Sequence, residues 1–166
     1  MVIERLSPAN VTAFRQLRLR GLRESPLAFG SSYAEEAKLP RKVFVARLEQ
    51  SPDKWIFGSL VGGRLVGVVT LIREAKRKER HKASIYGMYV ERKMRRSGIG
   101  RQLIERVIEA ARQLHGLKQV RLAVVETNRP ALRLYKSVGF KLYGREAAAL
   151  RIADKFYAEL FLVCRL

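Results

Sequence analysis

Apolar residues along this chain recur with two different periods, and the changes of period mark its elements. A short apolar opening at residues 2–6 reads as a strand. Val11, Phe14, Leu17 and Leu22 are then spaced along one face of a helix over residues 8–23, with Ser7 as N-cap and Ser25-Pro26 as the stop. Residues 27–39 lose that periodicity and read as a loop with helical turns. Pro40 opens a short amphipathic helix carrying Val43, Phe44, Ala46 and Leu48. Two apolar runs, residues 55–61 and 65–72, flank Gly62-Gly63, a pair that tolerates the positive φ of a tight hairpin turn.

The charged stretch 74–82 reads as an exposed connection, after which residues 83–90 return to an apolar strand. Over residues 98–115, Leu103, Ile104, Val107, Ile108, Ala111 and Leu114 repeat at helical spacing. Arg101, Glu105, Glu109 and Arg112 take the other side, and Gly116 is a stop. A strand follows at 120–125, a short helix at 130–137 closed by Gly139, and final strands near 143–150 and 158–166. Strand, helix and strand alternate at the centre, so the fold class is mixed α/β. No repeat or low-complexity linker interrupts the pattern, and residues 1–166 read as a single domain.

Composition narrows the function classes. Hydrophobic residues at 48% and charged residues at 30% give a globular rather than a disordered balance. The only cysteine, Cys164, excludes an internal disulfide, and with no Cys/His cluster no metal site is expected. Cys164 lies in an apolar run and reads as a buried strand residue rather than a nucleophile. No apolar run suits a membrane span or a signal peptide, so a cytoplasmic location is expected. Against 15 Asp and Glu stand 34 Lys and Arg, a formal charge of +19 that favours anionic partners. The surplus is dispersed over residues 15–23, 73–82, 92–101 and 112–118, without interleaved aromatics or a nucleic-acid motif. A phosphate-rich ligand therefore fits it better than a nucleic acid.

One such site is legible. The segment Gly87-Met88-Tyr89-Val90 leads into Arg95, Arg96, Ser97, Gly98, Ile99 and Gly100, and so into the long helix. A helix start offers an anion unpaired N–H groups and the positive end of the macrodipole. Glycine at 98 and 100 lets phosphate oxygens approach the backbone, and Arg95 and Arg96 add charge. The spacing departs from the Walker loop, which needs Gly-Lys-Ser or Gly-Lys-Thr, and from the three-glycine dinucleotide pattern. Gly87 within a strand marks a bulge or the close approach of another chain.

Arg95 through Gly100 resembles the Gln/Arg-x-x-Gly-x-Gly/Ala signature of the GNAT acetyltransferase superfamily. Asn128, Ala131, Leu134-Tyr135 and Gly139-Phe140 are similar to the second family segment, Asn-x-x-Ala-x-x-Leu-Tyr-x-x-x-Gly-Phe. The resemblance implies a GNAT fold, with a mixed, mostly antiparallel sheet of about seven strands flanked by about four helices and splayed at a cofactor cleft. It implies acetyl-CoA as cosubstrate, direct N-acetyl transfer to a primary amine, and a homodimer as one family arrangement. The N–H groups from Arg96 to Arg101 would then surround the pyrophosphate, and Met88, Tyr89 and Val90 would pair with the pantetheine arm. Asn128 would bond the pantetheine or acetyl region, while its place before Pro130 also suits a helix N-cap.

In many relatives the tyrosine matching Tyr135 protonates the departing thiolate. A phenol of ordinary pKa about 10 is neutral at cellular pH and can donate, though an aromatic on a short helix can also simply pack. The attacking amine must lose a proton, since a lysine-like amine has an ordinary pKa of about 10.4 and an α-amino group about 8. Glu126, Glu91, Glu35, Glu36 and His81 are the acceptors on hand, and Glu126 is favoured among them by its place at a strand end before Asn128, although a surface carboxylate balancing arginines is the commoner reading of such a residue. Glu35 or Glu36 could instead attract a cationic amine, in a pocket shaped by residues 27–39 and 143–157. Ribosomal-protein acetyltransferases of the superfamily often carry glutamate five residues before the asparagine. Ala123 stands there, which turns the expectation toward a small-molecule amine over a protein.

Overall fold

The computed structural model covers residues 1–166 and arranges seven strands in one sheet of order β1-β2-β3-β4-β5-β7-β6. The strands are β1 (Val2–Arg5), β2 (Lys54–Val61), β3 (Arg64–Arg73), β4 (Lys82–Val90), β5 (Gln119–Val125), β6 (Lys141–Ile152) and β7 (Lys155–Arg165). Every neighbouring pair is antiparallel except β4 and β5. Five helices cover its faces: α1 (Val11–Glu24), α2 (Tyr33–Ala37), α3 (Arg41–Leu48), α4 (Ile99–Arg112) and α5 (Arg129–Ser137). This is the mixed α/β architecture expected from the sequence, with one helix more.

The extra helix is α2, inside the stretch expected to be a loop. Its five residues are too few for an apolar period, but Ser32 and Glu35 form a capping box. Glu35 N–H donates to Ser32 Oγ at 3.2 Å, and Ser32 N–H donates to Glu35 Oε2 at 2.7 Å. The first helix starts later than expected. Pro8–Asn10 forms a 3-10 turn closed by Ser7 N–H donating to Asn10 Oδ1 at 2.8 Å, and regular helix begins at Val11. The β6–β7 hairpin is longer at both inner ends, where pairing continues through Arg151↔Phe156 and Ile152↔Lys155 to the turn at Ala153-Asp154.

Successive β3 residues point to opposite faces and supply two core layers. Leu65 and Val68 join Phe14, Leu17, Phe44 and Leu48 from α1 and α3. Val66, Val69 and Leu71 meet Leu103, Ile104 and Val107 from α4, together with Tyr135, Phe140 and Leu162. The amphipathic stripe of α4 thus presses its N-terminus against the end of β4. The buried Glu91 at that end is held by Arg20 of α1 and by Arg64, 2.7 Å from its carboxylate at the start of β3.

The β4–β5 junction opens the sheet. Only Lys82, Ala83 and Ser84 pair with β5, opposite Gln119, Val120 and Arg121. Farther along, the β3–β4 register passes from Thr70↔Tyr86 to Val68↔Tyr89, which leaves one extra β4 residue at Gly87-Met88. Gly87 has φ +59, a conformation that costs glycine little. The bulge turns β4 away from β5, so the strands diverge into a cleft.

Candidate active site

The cleft has a volume of about 1110 Å³ and runs between the diverging strands from the N-terminus of α4 to the far bank of β2 and β3. At one end lies the loop entering α4. Its conformation is set by Arg96 at φ +66 and Gly98 at φ +83. Arg96 is one of two non-glycine residues with positive φ, a local cost that the loop maintains. As a result the N–H groups of Arg96, Ser97, Gly98, Ile99, Gly100 and Arg101 donate to no acceptor in the protein. The first bond of the helix runs from Gln102 N–H to Gly98 C=O at 3.1 Å. Six successive unpaired donors at a helix start form a receiver for a polyanion.

The side chains here divide into those that face the cleft and those that hold the loop. Arg96, Gly98, Gly100 and Arg101 line the cleft. Arg95 lines it too, but its Nε donates to Val90 C=O at 3.0 Å and its Nη2 to Ser25 Oγ at 2.9 Å, tying the loop to the end of α1. Ser97 Oγ donates to Met94 C=O at 2.6 Å. The Ile99 side chain is buried in the core, so only its backbone faces the loop. Past the bulge, Met88, Tyr89 and Val90 line the β4 bank. Tyr89 O–H donates to Glu24 Oε2 at 2.7 Å, and burial with that bond pushes its pKa up to about 12.

At the middle of the cleft the β5 bank and α5 converge. Asn128 caps α5 through Oδ1, which accepts from Ala131 N–H at 3.3 Å, so its amide NH2 remains for a ligand. Tyr135 is 7% exposed and packs edge-on against Phe140 with ring centroids 5.9 Å apart. Burial alone raises its pKa to about 12, so the phenol keeps its proton across the physiological range.

Glu126 does not reach the cleft. Its exposed carboxylate is forked by Arg145 Nε and Nη2 at 3.0 and 2.8 Å, and these bonds hold its pKa below the ordinary carboxylate range. A carboxylate so held is a poor proton acceptor. The carboxylate that does line the cleft is Glu159 of β7, where burial and then the charge of Glu146 raise its pKa. A lone acid inside the apolar run Tyr157-Ala158-Glu159-Leu160-Phe161 was the signal that could have found it.

The acids of α2 are not free to attract an amine. Glu35 is occupied by the Ser32 cap, and its pKa is lowered by the Ser32 backbone bond. Glu36 is 2% exposed. Burial opposes its ionisation, but bonds from Arg18, Ser31 and Arg47 prevail and bring its pKa to about 2. Cys164 is buried among the core residues, and burial raises its thiol pKa, which suits packing rather than attack.

No helix is long and apolar enough to cross a membrane. A model of the Acetyltransferase (GNAT) family matches residues 19–140. An N-alpha-acetyltransferase of Sulfurisphaera tokodaii is 35% identical over 78 residues, 47% of this chain and 42% of that protein. The match thus spans less than half the length of this curated relative. A GNAT-family acetyltransferase of Streptococcus pneumoniae superposes with TM-score 0.89 at 20% identity, over 99% of both chains. The protein yncA of Salmonella typhimurium, solved with its cofactor acetyl-CoA, superposes with TM-score 0.82 at 17% identity over 99% of this chain and 93% of that one. The family match takes in the amide-lined loop, the bulged strand and Tyr135, and the chain belongs to the GNAT acetyltransferase family.

Proposed function

We propose that the protein transfers the acetyl group of acetyl-CoA directly to the primary amine of a small molecule, with Tyr135 as general acid and Glu159 as general base. The observation that carries this reading is the pair of titratable groups on one cleft, a phenol kept neutral by burial and a carboxylate of raised pKa. The residues present fit acetyl-CoA: six unpaired N–H groups suit its pyrophosphate, and the unpaired stretch of β4 suits its amide-bearing arm. Once bound it supplies an acyl thioester.

Glu159 takes one proton from the incoming ammonium, and the freed nitrogen forms the C–N bond as the C–S bond breaks. Tyr135 gives its proton to the departing sulfur, the nitrogen's second proton passes through solvent to restore the phenol, and Glu159 releases the first proton to solvent, so one proton is set free per turnover. A phenol of pKa about 12 is a weak acid in water, but the burial that raises it also raises the basicity of a thiolate leaving beside it. The amide NH2 of Asn128, which has no protein acceptor, would hold the arm or the acetyl group while this occurs. A second reading, acetylation of a protein α-amino group, is favoured by the similarity to an N-alpha-acetyltransferase.

Thiol release from acetyl-CoA, followed with small amines and with peptide N-termini, tests both. Turnover of small amines above that of peptides supports the first reading. Turnover confined to peptides transfers the function to the second, and none at all overturns acetyl transfer.

The loop makes its own prediction. A Cβ on Gly100 would meet Leu134 Cδ2 at 3.2 Å and Met88 Cε at 3.5 Å, both from cleft residues. Gly100→Glu adds bulk and a negative charge there. It should weaken coenzyme A binding by at least about tenfold in calorimetry. The parent affinity should also fall with added salt. Unchanged affinity in the variant would remove the pyrophosphate from this loop.

A further inference from the structure

The bank of the cleft opposite Glu159 carries more positive charge than transfer to a simple amine requires. Arg18 of α1, Arg47 of α3 and Lys54 at the start of β2 all line it. The two arginines converge on the buried Glu36. Arg18 Nε and Nη2 donate to its carboxylate at 3.1 and 2.6 Å, and Arg47 Nη1 donates to it at 2.8 Å. A single guanidinium would neutralise that carboxylate, so the second is surplus, and Lys54 adds another charge. Glu36 therefore serves as the anchor that holds two guanidinium groups in place.

Each cation keeps donors in reserve. Arg18 Nη2 also reaches Ser31 Oγ at 2.9 Å, but Arg18 Nη1 has no protein acceptor and lies beside the bulge, where a Cβ on Gly87 would come within 3.0 Å of it. Arg47 Nε and Nη2 are likewise unbonded, and Lys54 Nζ gives one of its three donors to Ala46 C=O at 3.0 Å. Stacking holds the arginines further. Arg18 lies 4.4 Å from the centroid of Phe29 and Arg47 5.1 Å from that of Phe44.

We propose that the acceptor is a small amine that also carries a carboxylate, of the amino-acid class, and that Arg18, Arg47 and Lys54 receive this carboxylate. The inference rests on the acetyl-transfer reading above and specifies its substrate. The free Nε/Nη2 fork of Arg47 matches a carboxylate's two oxygens, Arg18 Nη1 can add a further donor, and groups already fixed by Glu36 lose little freedom on binding. Glu159 lines the same cleft and offers the ammonium a negative charge. The α-carboxylate of a peptide's first residue is consumed in its amide bond, and such an acceptor leaves these donors unanswered.

The test measures thiol release with matched sets of acceptors: leucine, phenylalanine, methionine and glutamine, each beside its carboxamide and the amine left by removing the carboxylate. The free acids should exceed their partners in kcat/KM by at least about tenfold, mostly through KM. In Arg47→Gln, whose side chain is one-third exposed, that preference should shrink about tenfold with coenzyme A affinity and the circular dichroism spectrum retained. Amides or decarboxylated amines turned over as well as the acids would overturn the inference and leave acetyl transfer standing. A preference for acids that survives in Arg47→Gln would also overturn it. An absence of turnover with every amine, peptide N-termini included, would instead remove the acetyl-transfer reading on which it depends.

Discussion

Tyr135→Phe should fold and bind coenzyme A like the parent protein and lose about 10²- to 10⁴-fold in kcat, the range a general acid contributes. The substitution removes one oxygen. The ring stays against Phe140, and the hydroxyl's pKa is shifted by burial alone, with no bond to a protein partner contributing. Stability and cofactor affinity therefore have little reason to change, and the loss belongs in kcat. The chemistry supplies an internal control. An acyl donor whose thiol is more acidic needs less protonation as it leaves, so the deficit of the variant should narrow with such a donor. Full activity of Tyr135→Phe with acetyl-CoA would leave the residue a packing aromatic and assign the proton to water.

What could be read in the sequence depended on how local each signal is. The helix carrying Leu103, Ile104 and Val107 and the glycine loop before it are contiguous in the chain, and both stand where periodicity and helix-end chemistry put them. The pairing of Gly62 and Gly63 likewise announced the β2–β3 hairpin. Glu126 and Glu159 show the limit. They are 33 positions apart, and the end of β5 brings Val125 opposite Glu159 on β7 only through strand register. A reading along the chain could see that Glu126 follows a strand, but not that Arg145 of β6 reaches across to occupy it.

The anchor at Glu36 was hidden for the same reason. Its partners Arg18 and Arg47 lie on two other helices, and the residue resembled one acid of an exposed pair. Ser32-Tyr33-Ala34-Glu35, by contrast, is a capping box that the sequence displayed openly. The five residues of α2 span little more than one turn, too few for an apolar period to repeat. The charge of +19 was visible as a total, but its role depends on which few cations line a cleft, and that is a property of the fold.

Glu159→Gln should lower kcat by about 10²- to 10⁴-fold at neutral pH and change the form of its pH dependence. With a base in place the enzyme binds the acceptor as an ammonium and deprotonates it on the protein. Parent kcat should then be flat above the Glu159 pKa and fall at lower pH as the carboxylate takes up a proton. Without the base, only amine already neutral in solution reacts. The variant's rate should rise about tenfold per pH unit toward the amine's own pKa. Stability should move in the other direction. Burial, and then the charge of Glu146, raise the Glu159 pKa in the folded protein. The favourable contribution of its protonated form is fully present below the ordinary carboxylate value of about 4.3 and is lost as pH rises through the folded value. At neutral pH the group is a partly desolvated charge facing a like charge, so the neutral glutamine should keep the parent Tm or raise it. A variant that melts at the parent temperature, loses activity and acquires the sloping profile identifies Glu159 as the base. A variant with a flat kcat profile and parent-like rate would return that role to another group or to ordered water.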